Sequence, residues 1–313
     1  MTITNTDILA NSPISFPGLF GDWEFTADSV ALHIGHGIYW YGIILGLGLL
    51  FGMLLCLKQA RHYGIREDNL LDLVLMGVPI GILGARTYYV LFYLDRFRNA
   101  DGSLNWGPNG GIIAIWDGGL AIYGGIIVGV IVIIGVSRHK KIPIPAMLDL
   151  AVFGLLIGQI LGRWGNFMNR EAFGAETEIF CRMGLTAPDG STIFVHPTFL
   201  YESLWNLAGL IFLIVWTKKG HRKYDGQCTL IYFFWYGLGR AWIEGLRTDS
   251  LYIGSTNIRV SQALSIVLVL ISLILLIRQS RRPHPPEKLY VNRVRAAEAA
   301  KEEAESTCAK EDK

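Results

Sequence analysis

Two short stretches of this chain concentrate side chains able to handle an anion. Gly162–Gly174 reads G-R-W-G-N-F-M-N-R-E-A-F-G and packs Arg163, Asn166, Asn169, Arg170 and Glu171 directly after the apolar run Ala146–Leu161. Residues 236–247 read Y-G-L-G-R-A-W-I-E-G-L-R, which places Tyr236, Arg240, Glu244 and Arg247 at i, i+4, i+8 and i+11, on one helix face. A guanidinium fork matches phosphate geometry, and carboxamides can bond phosphate or glycerol oxygens without adding charge. Arg240 and Arg247 flank one carboxylate, so the stripe is net positive and an anion is its natural complement. For Glu244, an i,i+4 ladder that only satisfies buried charge is an equal reading. Snorkelling explains one Arg near a helix end. It does not explain this density of polar groups at membrane depth, which by default faces an interior or a water-filled cavity.

The elements that must position these residues are membrane spans. The chain has 313 residues, 51% hydrophobic and 17% charged. The first figure is ordinary for a soluble protein, and it is the clustering of apolar residues that marks a multi-spanning membrane protein. Seven runs, roughly residues 38–57, 70–92, 119–136, 146–162, 199–216, 227–243 and 260–277, reach or approach the ~20 residues of a crossing. Basic residues follow every second run: Lys58, Arg61 and Arg66; Arg138, Lys140 and Lys141; Lys218, Lys219, Arg222 and Lys223; Arg278, Arg281 and Arg282. Residues 1–37 contain neither Lys nor Arg. The positive-inside rule then puts the N-terminus outside and the C-terminus in the cytoplasm.

The expected fold is all-α: a polytopic membrane bundle of seven transmembrane helices. It has an outer arm over residues 1–37, the spans over 38–282 and a cytoplasmic tail over 283–313, the tail a solvated helix or disordered. The long outer-face loop 162–198 should build a small outer cap. Glycine pairs at 42/46, 48/52, 77/81, 125/129 and 154/158 imply close helix packing. No cleavable signal peptide is visible, and Cys56, Cys181, Cys228 and Cys308 show neither metal spacing nor a disulfide framework.

Run in these directions, the spans gather Tyr41, Arg86, Asp117, Tyr123, Arg163 to Glu171, His196, Glu202, Arg240, Glu244 and Arg247 in the outer half, while the inner ends carry only basic anchors. The expectation is an anionic lipid headgroup held at the outer leaflet, its phosphate clamped by Arg163 and Arg240.

The stretch at 162–174 also resembles the signature of the prolipoprotein diacylglyceryl transferase family. Other landmarks are similar to that family too: W-Y-G at 40–42, G-A-R at 84–86, W-D-G-G-L-A-I-Y-G-G at 116–125, H-P-T-F-L-Y-E at 196–202 and G-R-A-W-I-E-G-L-R-T-D at 239–249. The resemblance covers nearly all the spans. Where some members carry His before the Gly-Gly of the third span, this chain has Tyr123. The resemblance implies a multi-pass enzyme of the bacterial cell membrane. It would move the sn-1,2-diacylglyceryl group of phosphatidylglycerol onto the lipobox cysteine thiol in the signal peptide of a prolipoprotein, forming a thioether and releasing glycerol 1-phosphate. Its partners would be those two substrates and membrane lipids, with no nucleic acid, cofactor or metal.

That reaction is neither acyl nor phosphoryl transfer, so it needs no oxyanion hole or serine triad. It needs a thiolate, from a group with ordinary pKa about 8.5, and electrostatic stabilisation of the departing phosphate. The candidate catalytic residues are Arg163, Arg240, Tyr123 and Glu244. The candidate lipid-binding residues are Arg163, Asn166, Asn169, Glu171, Gly174, Tyr41, Arg86, Tyr236 and Arg247. For the proton acceptor, Tyr123, His196, Glu202 and Glu244 stay open. A transporter or flippase with an outward anion site would show paired half-helices and polar residues on both sides. A seven-span receptor would need a larger cytoplasmic surface. Neither pattern is present in the sequence.

Overall fold

A computed structural model describes residues 11–34, 37–99, 101–248, 252, 256 and 258–311. In chain order the elements are β1 (Ile14–Ser15), α1 (Pro17–Phe20), β2 (Glu24–Phe25), β3 (Val30–Leu32), β4 (Ile38–Tyr39), α2 (Trp40–Ala60), α3 (Glu67–Phe92), α4 (Ile122–His139), α5 (Ile144–Met168), β5 (Met183–Thr186), β6 (Thr192–Val195), α6 (Thr198–Lys218), α7 (Gln227–Leu246), α8 (Val260–Ser280) and α9 (Tyr290–Glu311). Among the described residues, six helical stretches are long and apolar enough to cross a membrane: Trp40–Tyr63, Glu67–Phe92, Ile122–His139, Ile144–Met168, Thr198–Lys218 and Val260–Ser280. The seventh expected span is a helix, α7, with 20 residues. It is less apolar than the six, because its sequence carries Gln227, Tyr232, Tyr236, Arg240 and Glu244.

The protein is mostly helical but not all-α. An antiparallel sheet of order β2-β1-β5-β6 forms from the N-terminal arm and the loop before α6, and β3 pairs with β4. Its apolar residues Ile14, Met183, Leu185 and Val195 bury against Phe16, Phe173 and Phe199. These strands escape a reading by span length because each is only two to four residues long. The β5–β6 hairpin nevertheless has a turn signal, Pro188-Asp189-Gly190, with Gly190 at φ +85° and Asp189 accepting from the Ser191 amide at 2.9 Å.

The chain divides into two compact units, Met1–Cys56 with Ala151–Lys288 and Leu57–Leu150 with Leu289–Lys313. In the first, glycines bring helices into contact. A Cβ on Gly52 of α2 would lie 3.2 Å from Gly154 Cα on α5, and one on Gly48 3.6 Å from Gly158 Cα, so the 48/52 and 154/158 pairs face each other. Between α6 and α7 the fit is reciprocal. Gly209 leaves room for Trp235 and Gly239 for Trp205, each added Cβ falling 2.6 and 2.3 Å from the facing indole. The two indoles stack at 4.8 Å, and each donates to the other's carbonyl, at 2.9 and 2.8 Å.

In the second unit α3 packs on α4 most tightly at Gly84 and Gly124, while of the expected 77/81 and 125/129 pairs Gly77 and Gly125 make ordinary contact, an added Cβ lying 3.8 Å from Val132 and from the Gly81 carbonyl respectively. A Cβ on Gly124 would sit 2.3 Å from the Gly84 carbonyl, whereas Gly81 and Gly129 have open space. The tail helix α9 docks Val291 against Gly64, where an added Cβ would approach Val291 Cα to 2.8 Å.

Candidate active site

The first unit brings together Arg163 near the end of α5, Glu202 in the first turns of α6, and Arg240 and Glu244 on α7. Arg163 Nη2 lies 2.7 Å from Glu202 Oε1 and Arg240 Nη2 2.7 Å from Glu244 Oε2 as ion pairs, and Arg240 Nη1 donates to Glu202 Oε2 at 3.1 Å. Glu202 and Glu244 are buried, at 4% and 2% exposure. Arg259 Nη1 donates to the Glu244 carbonyl. Two guanidinium and two carboxylate groups make this cluster neutral, which is what allows four charges to lie together in an apolar bundle. The α7 face is therefore not the net positive stripe expected from its own residues: Glu202, on another helix, joins its arginine to Arg163. Each guanidinium has five N–H groups, and the contacts with Glu202, Glu244 and Asn166 engage two nitrogens on each, so donors remain on both forks.

From Arg163 the network continues outward along the chain. Arg163 Nη1 donates to Asn166 Oδ1 at 2.9 Å, Asn166 Nδ2 to Glu171 Oε1 at 2.8 Å, and Asn169 Nδ2 to the same oxygen at 3.2 Å. This requires the chain to turn sharply after Met168, and Arg170 and Ala172 take up left-handed backbone at φ +52° and +58°. Arg170 holds the turn: buried, it donates to the carbonyls of Ser12, Met168 and Ala27. Gly174 then runs against α7 and the stretch before α6. Its amide donates to the His196 carbonyl at 2.9 Å, it bridges Arg247, and a Cβ there would lie 2.6 Å from His196 Cβ.

Tyr41 packs its ring on α5 at Gly165, where an added Cβ would lie 2.5 Å from Tyr41 Cδ2. With Gly37, Ile38, Tyr39, Gly42 and Asn169 it lines an open cleft of about 430 Å³. Tyr236 lies within the fields of Glu202, Arg240, Arg163 and Glu244 and stacks on Tyr232 at 5.7 Å. His196 Nδ1 is 3.2 Å from the Tyr201 hydroxyl, and burial lowers the pKa of its imidazole below 6.5.

Arg86 and Tyr123 belong to the second unit. Arg86 is buried and donates to the carbonyls of Ile112 (2.8 Å), Gly118 (2.7 Å), Gly119 (3.1 Å) and Gly111 (2.7 Å), stapling the loop before α4 to α3. Gly119, at φ +67°, is required there, since a Cβ would meet Arg86 Nη1 at 2.6 Å. Tyr123 is the second residue of α4, with its ring 6.4 Å from Tyr88. Asp249, the end of the last motif, lies outside the described residues.

The residue under-read in the sequence is Glu202. A buried carboxylate in an apolar helix demands a cation partner, and Arg163 and Arg240 at matching depth supply the signal. Arg259 carries no such signal, because its contact is with a backbone carbonyl.

The chain also resembles known proteins over most of its length. The family model described as prolipoprotein diacylglyceryl transferase matches residues 29–278. A phosphatidylglycerol–prolipoprotein diacylglyceryl transferase of Bacillus cereus (strain Q1) is 43% identical over 272 residues, covering 84% of this chain and 96% of its own. One of Bacillus anthracis is 42% identical over 258 residues, 80% and 91% of the two chains, and one of Bacillus mycoides (strain KBAB4) is 42% identical over 272 residues. With the arginine–carboxylate cluster built from the same stretches that carry the likeness, this chain belongs to the prolipoprotein diacylglyceryl transferase family.

Proposed function

We propose that the protein transfers the diacylglyceryl group of phosphatidylglycerol to the lipobox cysteine of a prolipoprotein, with the Glu202-linked pair of Arg163 and Arg240 as the phosphate site. The observation that carries this is the shared carboxylate, which fixes both guanidinium groups at one point while leaving donors on each. The thiolate sulfur attacks the glyceryl carbon, the C–O bond to phosphate breaks, and its electron pair leaves on glycerol 1-phosphate. The phosphodiester brings one negative charge to the site and departs with more, so donors fixed in a low-dielectric bundle favour the transition state over the bound lipid. The same positive groups favour a thiolate over a thiol.

Glu202 and Glu244 anchor the two guanidinium groups, and the His196 imidazole, in the stretch before α6, is the proton acceptor of the first unit. Asn166, Asn169 and Glu171 frame the phosphate end, Gly174 lets the loop close against α7, and Tyr41 and Tyr236 position the headgroup. Arg247, at the end of the same α7 face, adds positive charge to it.

In this reading α7 is a seventh span, made tolerable by its paired charges, and residues 38–282 form the membrane domain, with the arm 1–37 and the sheet outside. The N-terminus is outside, the tail 283–313 is cytoplasmic, and the site faces the outer leaflet of a bacterial cell membrane. The support is the Lys and Arg content of alternate connections. The reaction is tested with purified protein, phosphatidylglycerol and a lipobox peptide, weighing the peptide by mass spectrometry. The expected result is a diacylglyceryl mass gain that needs phosphatidylglycerol and is lost when the peptide cysteine is serine. No gain with folded protein would contradict the activity.

A further inference from the structure

One helical turn from the ion cluster, the same three helices hold a second polar layer that the transfer chemistry does not use. The Arg163–Glu202 ion pair at 2.7 Å and the Ser203 hydroxyl donating to the Ile160 carbonyl at 3.1 Å lay α6 antiparallel on α5. Four residues on from Glu202 and four back from Arg163, that register sets Asn206 at the level of Gln159. The reciprocal Trp205 and Trp235 bonds set the Tyr232–Tyr236 turn of α7 at the same level, and Gln159 Nε2 donates to the Tyr232 hydroxyl at 2.7 Å. The layer lies about 6 Å along the helices from the ion pairs, at 1.5 Å per residue.

Among the described residues this layer has unmet hydrogen-bonding capacity. Asn206 is 0% exposed, and neither its Oδ1 nor its Nδ2 has a partner; Gln159 Oε1 has none either. Buried amides in a bundle are normally satisfied, and each exception calls for an explanation such as a water or a ligand. The inventory selects the ligand's chemistry. Two carboxamide oxygens only accept and one amide nitrogen only donates, while the Tyr232 hydroxyl, which accepts from Gln159, still has its own proton to give. An ester or phosphate oxygen would satisfy the nitrogen and leave both oxygens unpaired, and a cation would do the reverse. A hydroxyl both donates and accepts.

We propose that Gln159, Asn206 and Tyr232 form a hydroxyl-binding subsite one turn beyond the arginine pair, filled by a water molecule or by a hydroxyl of the glycerol headgroup. The headgroup source rests on the activity proposed above, and the water source does not.

Two arms on the full-length protein separate these sources. In lipid-free detergent, hydroxyl radicals generated by brief X-ray pulses oxidise side chains that touch bound water, and mass spectrometry reads Tyr232 against Tyr63, itself 0% exposed. In the second arm, transfer from phosphatidylglycerol is compared with transfer from phosphatidylpropanol, whose headgroup has no hydroxyl. Asn206→Leu is the test variant and Gln159→Met the second, should the first fail to fold.

For bound water, Tyr232 oxidises several-fold faster than Tyr63 and falls to its level in either variant, while lipid preference is unchanged. For the glycerol hydroxyl, wild type prefers phosphatidylglycerol by at least about tenfold and the variant loses that preference. The subsite is overturned if Tyr232 is as protected as Tyr63, Asn206→Leu raises the melting temperature and lipid preference does not move. Failure of wild type to use either lipid would sink the proposed activity and still leave the radical arm to decide the subsite.

Discussion

Glu202 is the residue on which the cluster depends. With one carboxylate it faces two arginines, and replacing it by Gln keeps the shape while removing the charge, leaving three charges where four had balanced. Breaking a buried ion pair by removing one partner typically costs about 3–5 kcal/mol. Glu202→Gln is expected to lower the unfolding midpoint accordingly, and transfer should fall with it as the two forks lose their common anchor. Unchanged stability, measured by thermal unfolding in detergent, would mean the cluster is hydrated.

His196 gives a pH signature. Its folded pKa lies below the ordinary 6.5 because burial disfavours the imidazolium. The unfolded chain therefore binds its proton first as pH falls. This contribution to stability is fully present above about pH 6.5, and it is lost as pH falls from there through the folded pKa. Melting curves from pH 7.5 to 5 should show a downward limb that His196→Gln flattens.

At the scale of elements, close helix contact is set by where a side chain would have to go. On α7, Gly239 stands where a Cβ would meet the Trp205 indole at 2.3 Å, whereas Gly129 of α4 faces open space. Gly239→Ala is expected to destabilise by about 1–3 kcal/mol through overpacking, and Gly129→Ala to be neutral or slightly stabilising through helix propensity. Equal melting temperatures for the two variants would contradict this packing. The contrast also shows what the sequence could reveal. Spacing of small residues flagged the 48/52 and 154/158 pairs, which do meet, and Gly77 and Gly125 at the α3–α4 contact, but it also flagged Gly42 and Gly46, which face open space, and it missed Gly84 with Gly124. A small-xxx-small pattern reports where approach is possible, and the opposing surface decides where it happens. The strands of the sheet were missed because they are too short for alternation to register, although the Pro188-Asp189-Gly190 turn was present to be read.

At the scale of the molecule, the helices long and apolar enough to span were legible because a membrane imposes length and composition directly. Arg163, Arg240, Asn166 and Glu171 were legible because charge at that depth is conspicuous. That Arg163 and Arg240 would lie together was expected from the spans, but that Glu202 joins them was not. Glu202 and Arg163 are separated by the loop that carries the β5–β6 hairpin, and no local period relates them. The two arginines meet only after α5, α6 and α7 pack, and the neutral balance of the cluster is a property of that packing.

The central claim is that this balanced pair handles the lipid phosphate, and the direct measurement is the rate of diacylglyceryl transfer to a lipobox peptide by Arg163→Lys and Arg240→Lys beside wild type. Lysine keeps the charge and loses the planar fork. Loss of one preorganised donor of a transition-state charge costs roughly 10²–10³ in rate, so each variant is expected to fall by about that factor while remaining folded. Full activity in both would contradict the claim and move the phosphate site away from Glu202.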